Sequence, residues 1–197
     1  MTVVGTVVRL QVQTASLKKG VRPSRVYDPS PLLPVPRLRL TPDGAVGIAE
    51  DGGEHVDVHH LGHPQTKHEP GREASFGFTS HYGKMRGEYG ERIVVGCAGE
   101  NVLLETDRIW RLEDFATGLA FESGASGARA RLSAVTVADP CVEFSRFSLG
   151  DAEAPPADVK PVLQFLGEGT RGYCFRPTSE VVLSPGDRLV LLDAMGR

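Results

Sequence analysis

The sequence predicts a mainly β domain, a barrel or sandwich of short strands, and three observations carry that prediction. Short β-branched runs recur through all 197 residues, turn residues bound most of them, and helical periodicity is confined to two segments. The last run is the clearest: Pro185-Gly186-Asp187 supplies a turn and Arg188–Leu192 then re-enters a sheet. Many short strands with few helices fit a closed β-barrel with a few short helices. At this length, with 40% apolar residues, the chain suits a single domain spanning 1–197.

Taken in order, the expected strands are Val3–Val12, Arg37–Leu40, Ala45–Ala49, His55–His59, Arg108–Leu112, Ala130–Val137, Gly172–Phe175, Glu180–Leu183 and Arg188–Leu192. One helix is predicted over residues 74–92, where Phe78, Tyr82, Met85 and Tyr89 recur at spacings of four, three and four. A second is predicted from Asp158 as N-cap, with Pro161 still in the first turn and Gly167 at the stop. Two stretches, Ser16–Pro36 and Gly62–Ser75, read as long irregular loops, and loops of that length inside a domain are commonly part of a site. Leu149–Asp158 reads as a plain connector.

A net charge of −3 argues against a broad nucleic-acid footprint, and no apolar run reaches membrane-spanning length. The opening MTVVGTVVRL lacks the pattern of a secretory signal and reads as a first strand. Cys97, Cys141 and Cys174 are odd in number and far apart, which fits reduced thiols in a cytoplasmic compartment.

Four features bear on chemistry. Cys141 follows Asp139-Pro140: proline fixes its own φ and pushes the preceding residue towards extended backbone, so the sulfur after it sits on a stiff chain. A half-buried structural cysteine is the plainer reading of that motif alone. Gly99-Glu100-Asn101 sets a carboxylate and an amide side by side after two glycines, a pair suited to fixing a loop or meeting a polar ligand. His55, His59, His60, His63 and His68 crowd a short segment, and on a strand His55, Asp57 and His59 would share one face, a weak divalent-metal pattern. Arg171 and Arg176 flank a Gly-Tyr pair, and their forked guanidinium groups suit phosphate or carboxylate. Cys97 and Cys174 sit in apolar company and read as inert core thiols.

In order along the chain, these features resemble the MOSC domain, the module named after the C-terminal part of molybdenum cofactor sulfurase. The resemblance runs through VVGTVVRLQVQTASLKKG, TSHYGKM, the Gly99–Asn101 GEN turn, ARLSAVTVADPCVEF, TRGYCF and PGDRLVLL. It implies a β-barrel related to that of pyruvate kinase and an association with the molybdenum cofactor. It implies further that Cys141 either ligates molybdenum or carries a sulfur atom as a persulfide, work suited to a soft sulfur. Arg171 and the lysines near Lys18 would meet the pterin phosphate, Glu100 and Asn101 would shape the pocket, and His59 and His63 would join the cofactor-binding set. Family-level association with pyridoxal phosphate binding also travels with the resemblance.

Two departures qualify it. The segment DVHHLGHPQTKHEPGREAS does not follow the Gly-Asp-x-His pattern of many members, and the separate N-terminal barrel of the larger amidoxime-reducing relatives has no counterpart. With no iron–sulfur or flavin motif, redox turnover would need an external electron donor, and a sulfur role would need a sulfur donor protein. The expected function is therefore a molybdenum-cofactor-binding sulfur carrier or small molybdenum-dependent reductase. The alternatives are a metal-dependent hydrolase built on the histidine segment and a non-catalytic binding module. Cys141 is expected to be the reactive thiol of the three.

Overall fold

The computed structural model describes residues 2–66 and 68–193. The strands are β1 Thr2–Gln13, β2 Lys18–Lys19, β3 Val26–Tyr27, β4 Leu32–Pro34, β5 Arg37–Thr41, β6 Gly44–Ile48, β7 Glu54–Val56, β8 Ala74–Phe78, β9 Val102–Glu105, β10 Leu119–Glu122, β11 Arg129–Val137, β12 Tyr173–Pro177, β13 Val181–Leu183 and β14 Arg188–Leu191. Three short helices, α1 Thr79–Tyr89, α2 Val142–Leu149 and α3 Pro156–Phe165, complete the described elements together with two single turns of tighter or wider helix.

Seven strands close a barrel in the order β14, β10, β11, β12, β8, β9, β1, with β1 pairing back to β14. β4 extends the far end of β1, and β13, β5, β6 and β7 form a second, four-stranded sheet. Neighbours are antiparallel except β8 and β9, which run parallel because α1 crosses between them. The GEN turn lies where that crossover returns, immediately before β9.

Alternation fills the barrel. Val4, Val7 and Leu10 from β1, Ala74, Phe76 and Phe78 from β8, Phe121 from β10, and Tyr173 and Phe175 from β12 belong to one buried cluster. Phe76 is its hub, with ring centroids of Phe78, Phe115, Tyr173 and Phe175 all within 6.0 Å. A second buried cluster lies outside the barrel, where α1, α2 and α3 cover β9. Tyr82, Met85, Ile93, Cys97, Leu103, Phe144 and Val162 meet there.

Several local expectations are corrected. Residues 74–78 are strand, because Ala74, Phe76 and Phe78 alternate into the core, so the first helix starts only at Thr79. Arg108–Leu112 is not a strand: Trp110 is buried, with its Nε1 donating to Val4 O, and a 3₁₀ turn follows at Leu112–Phe115. β7 ends at Val56, short of the predicted His59. In α3 the cap is Pro155 rather than Asp158, and Pro161 lies inside the helix, beyond its first turn. β11 carries a register break between Ser133 and Thr136, with Ala134 at a φ of 52°.

Candidate functional site

The site is built around the loop of residues 96–101, where Gly96 O receives Gly99 N at 3.1 Å and Asn101 O receives Gln11 N at 3.0 Å but the other carbonyls turn to side chains. Gln11 Nε2 donates to both Gly96 O and Glu100 O at 2.8 Å, and Gln13 Nε2 donates to Gly99 O at 2.8 Å. Tyr27 Oη donates to Cys97 O at 2.7 Å, and Arg171 reaches Ala98 O at 3.4 Å. Buried carbonyls left without donors would be costly, so these five bonds fix the loop's shape. Gly99 has a φ of 91°, and a Cβ on it would approach Leu17 Cδ1 to 2.7 Å and Gln13 Nε2 to 3.1 Å. Glycine is required here for both conformation and space.

The two polar residues of the turn have different fates. Asn101 is spent inside the fold. Its side chain accepts from Ser75 N at 3.0 Å and donates to Asp57 Oδ2 at 2.8 Å and Gln11 O at 3.3 Å. It pins the start of β9 to β8, which is the loop-fixing alternative. Glu100 is buried too, but only half satisfied: Tyr82 Oη donates to Oε2 at 2.9 Å, while Oε1 has no partner. Burial raises its carboxyl pKa to about 7, against the opposing pull of its hydrogen bonds and of the Arg171 and Arg9 guanidinium groups.

Cys141 sits half-buried at the N-cap position of α2, with extended backbone at φ −128° and ψ 153°. Its carbonyl receives Ser145 N at 2.9 Å and Ser145 Oγ at 3.0 Å, so the helix begins directly behind the sulfur. Arg171 Nη1 donates to Asp139 O at 2.6 Å, and its guanidinium lies 5.3 Å from the centre of the Phe144 ring. One guanidinium therefore clamps the turn before Cys141 to the loop before Glu100. Arg72, from the loop before β8, makes an ion pair with Asp139 from the other side. Lys18 is close enough to Glu143, in the first turn of α2, to act on its charge, and Arg25 pairs with Glu143 directly. Burial works against ionisation of Glu143, yet its backbone bond and Arg25 hold it below the usual carboxylate range.

A cavity of about 420 Å³ begins at Glu143 and follows α2, with Tyr27 and Phe147 in its wall and Arg25, Arg92 and Arg146 around it. Cys141, Glu100, Arg171 and Lys18 do not line this cavity; Arg171 ties the turn before Cys141 to the loop before Glu100, and Lys18 acts on Glu143, two residues after Cys141. His59 joins them only at second hand. Its Nδ1 lies 2.9 Å from Asp57 Oδ1, and Asp57 in turn holds Asn101 and Gln13 N. His63 stands apart, accepting from Gln65 N in its own loop at 3.1 Å. The proposed metal face of His55, Asp57 and His59 is not formed, because the strand stops at Val56 and the turn spends Asp57 on backbone and Asn101. Among the described residues, no group of three or more His, Cys, Asp or Glu side chains is arranged to hold a metal ion.

The three thiols differ. Cys97 is buried, and burial pushes its pKa up to about 12. Cys174 is half-buried rather than in the core, because it lies between the inward-facing Tyr173 and Phe175 on the outer face of β12; burial raises its pKa too, against Arg72 and Arg171. All three are free. Reading the sequence missed Gln11, Gln13, Asp57, Tyr27 and Tyr82, whose roles come from spatial neighbours; only Gln11 and Gln13, polar at alternate positions of an apolar strand, leave a trace in the sequence.

No protein-family model matches the sequence, and no curated protein matches it. Solved structures do. The YuaD protein from Bacillus subtilis aligns over 94% of this chain and 96% of its own, with a TM-score of 0.53 at 13% identity. YiiM from Geobacillus stearothermophilus aligns over 95% of this chain and 75% of its own (TM-score 0.52, 20% identity). YiiM from Escherichia coli aligns over 84% and 67% (TM-score 0.52, 18% identity). YuaD and YiiM are stand-alone MOSC-domain proteins, so the chain has the MOSC-type barrel fold.

Proposed function

We propose that this protein handles the molybdenum cofactor through Cys141, as a sulfur carrier or as a small molybdenum-dependent reductase served by an external donor protein. One observation carries the reading: Arg171 bonds both Asp139 O and Ala98 O, so a cation is fastened to the turn that presents a half-buried soft sulfur. The residues present fit the group. Cys141 offers a soft sulfur for molybdenum or for a transferable sulfur atom. Arg171 and Lys18, with Arg25 beside them, suit the pterin phosphate, and the aromatic-walled cavity along α2 suits its flat ring. When bound, the cofactor supplies the redox chemistry; the chain's own part is to bind, orient and shield. Glu100 and Asn101 act from behind, the first through charge and the second by fixing the turn. His59 contributes by orienting Asp57. Pyridoxal phosphate fits less well, since it requires a lysine amine and no lysine lines the cavity along α2. Free thiols accord with a reducing, cytoplasmic setting, and no described helix is long and apolar enough to cross a membrane.

The test is metal and pterin analysis of protein made in a cofactor-producing host, alongside alkylation and peptide mapping at neutral pH. Molybdenum and pterin retained by the wild type and lost in Cys141→Ser, with Cys141 alkylated well ahead of Cys97, is the expected result. A Cys141 no more reactive than Cys97 would leave the non-catalytic barrel as the better account.

A further inference from the structure

The cavity along α2 holds guanidinium groups that the fold does not use up. Arg92, in the turn after α1, stands against Gly150, where α2 ends in the left-handed region at φ 71°. A Cβ on Gly150 would overlap the Arg92 guanidinium, so glycine there also makes room for the cation. A cation at a helix C-terminus commonly serves to cap it. Here the helix closes without help: Phe147 O receives Gly150 N at 3.0 Å and Arg146 O receives Asp151 N at 3.1 Å. Among the described residues, the Arg92 guanidinium makes no hydrogen bond or ion pair. Arg146 donates Nε to Ala154 O at 3.2 Å, and its Nη groups bond nothing further among those residues.

The charges lining the cavity do not cancel. Arg25 is neutralised by its ion pair with Glu143. The other carboxylate, Asp151, accepts Glu153 N on Oδ1 at 2.8 Å and pairs with neither Arg92 nor Arg146. Two guanidinium groups against one carboxylate leave an excess of positive charge. The rest of the wall is apolar, with Val26 beside the rings of Tyr27 and Phe147, whose centroids lie 5.3 Å apart. Tyr27 Oη is spent on Cys97 O, so what it offers the cavity is its ring. A volume of about 420 Å³ is that of a small-molecule site. We propose that this cavity binds a small planar-ringed oxyanion. Arg92 and Arg146 hold the charged group by their forked donors, and the ring lies against Tyr27 and Phe147.

The site rests on the proposed function only in sharing the cavity given there to a flat ring. Its anchors are not those assigned to the pterin phosphate, and its test needs no molybdenum. The probe is phenyl phosphate, titrated calorimetrically at neutral pH into cofactor-free protein, with inorganic phosphate and phenol as the two separate halves. The wild type is expected to bind phenyl phosphate at least about tenfold more tightly than either half. Arg92→Ala, at an exposed position, is expected to lose about tenfold in that affinity with its urea unfolding midpoint unchanged. Arg37→Ala, which removes an exposed cation from the second sheet, is expected to bind as the wild type does. No binding of phenyl phosphate, inorganic phosphate bound as tightly, an Arg92→Ala variant of unchanged affinity, or an equal loss in Arg37→Ala would each overturn the inference. Phenyl phosphate bound through Arg92 by a protein that never takes up molybdenum would end the proposed function and leave this site standing. Molybdenum retained through Cys141 by a protein that ignores phenyl phosphate would do the reverse.

Discussion

The two apolar clusters are built on different terms. Inside the barrel, aromatic and aliphatic side chains meet one another, and Tyr173, donating to Trp110 O at 2.8 Å, has its polar atom satisfied. Outside, under the three helices, the apolar packing of Tyr82, Cys97 and Phe144 encloses a half-satisfied carboxylate and abuts a guanidinium. The barrel is a scaffold that tolerates no charge. The outer cluster uses its low polarity to make charge expensive, which is how a fold sets the proton affinity of one group without metal or ligand.

That contrast is broken most forcefully in the barrel. Phe121→Ala, deleting a fully buried ring at the barrel wall, is expected to cost about 4 kcal/mol in urea unfolding. A loss under about 1 kcal/mol would mean the barrel interior is not the main source of stability.

A pair of pH experiments sharpens it. Burial raises Glu100 from 4.5 to about 7, so the folded state holds its proton more tightly and stability falls as pH climbs across that window, by on the order of 3 kcal/mol. His81 is the opposite case. Packed against Phe78 and Tyr173 at the barrel's side, its ring is pushed by burial, and by Lys84, from 6.5 down to about 4. Carbonyls of Gly169 and Trp110 favour the charged ring, but neither is aligned to bond it. Its contribution is therefore lost as pH falls from 6.5 towards 4, again by on the order of 3 kcal/mol. The two slopes oppose each other between pH 4.5 and 6.5. Stability should rise with pH in Glu100→Gln and fall with pH in His81→Gln over that interval, while the wild type stays nearly level. Superimposable profiles for all three proteins would rule both assignments out.

Smaller effects follow at the joints. Asn101→Ala strands Asp57, Ser75 N and Gln11 O, and is expected to cost about 2 kcal/mol. Arg72→Ala removes a largely solvated ion pair with Asp139, with an expected change of about 0.5 kcal/mol or less. Its interest lies in the turn: if the clasp holds Cys141 in place, alkylation of that thiol should change more than stability does.

Alternation made β1, β5, β6, β11 and β14 legible in the sequence, because each buries one face over several residues. Ala74–Phe78 is ambiguous in the sequence because the helical spacing that begins at Phe78 overlaps the alternation that ends there. α2 was missed although Phe144 and Phe147 share a face and Gly150 ends the helix in the left-handed region at φ 71°; eight residues are too few for the period to stand out. At the site, Cys141, Arg171 and Glu100 were recognisable as residue types and are brought together by the fold. Lys18 lies at the edge of the same group. The family resemblance assigns His59 and His63 to one cofactor-binding set, yet His59 bonds Asp57 while His63 bonds within its own loop. What sequence could not convey is that the 96–101 loop would draw side-chain donors for its carbonyls from Gln11, Gln13, Tyr27 and Arg171.

Closing the ring through β1 and β14 has a kinetic consequence. Thr2 pairs with Leu191 and Thr6 with Arg188, so the seam joins segments from opposite ends of the described chain. Their meeting carries the largest loop-closure entropy in the fold and cannot precede synthesis of the last strand. Until then β1 and β10 both present unpaired edges, open to pairing with other chains. A nascent or truncated chain lacking β14 is thus expected to be a chaperone client and prone to aggregate, however well the rest of the ring is made.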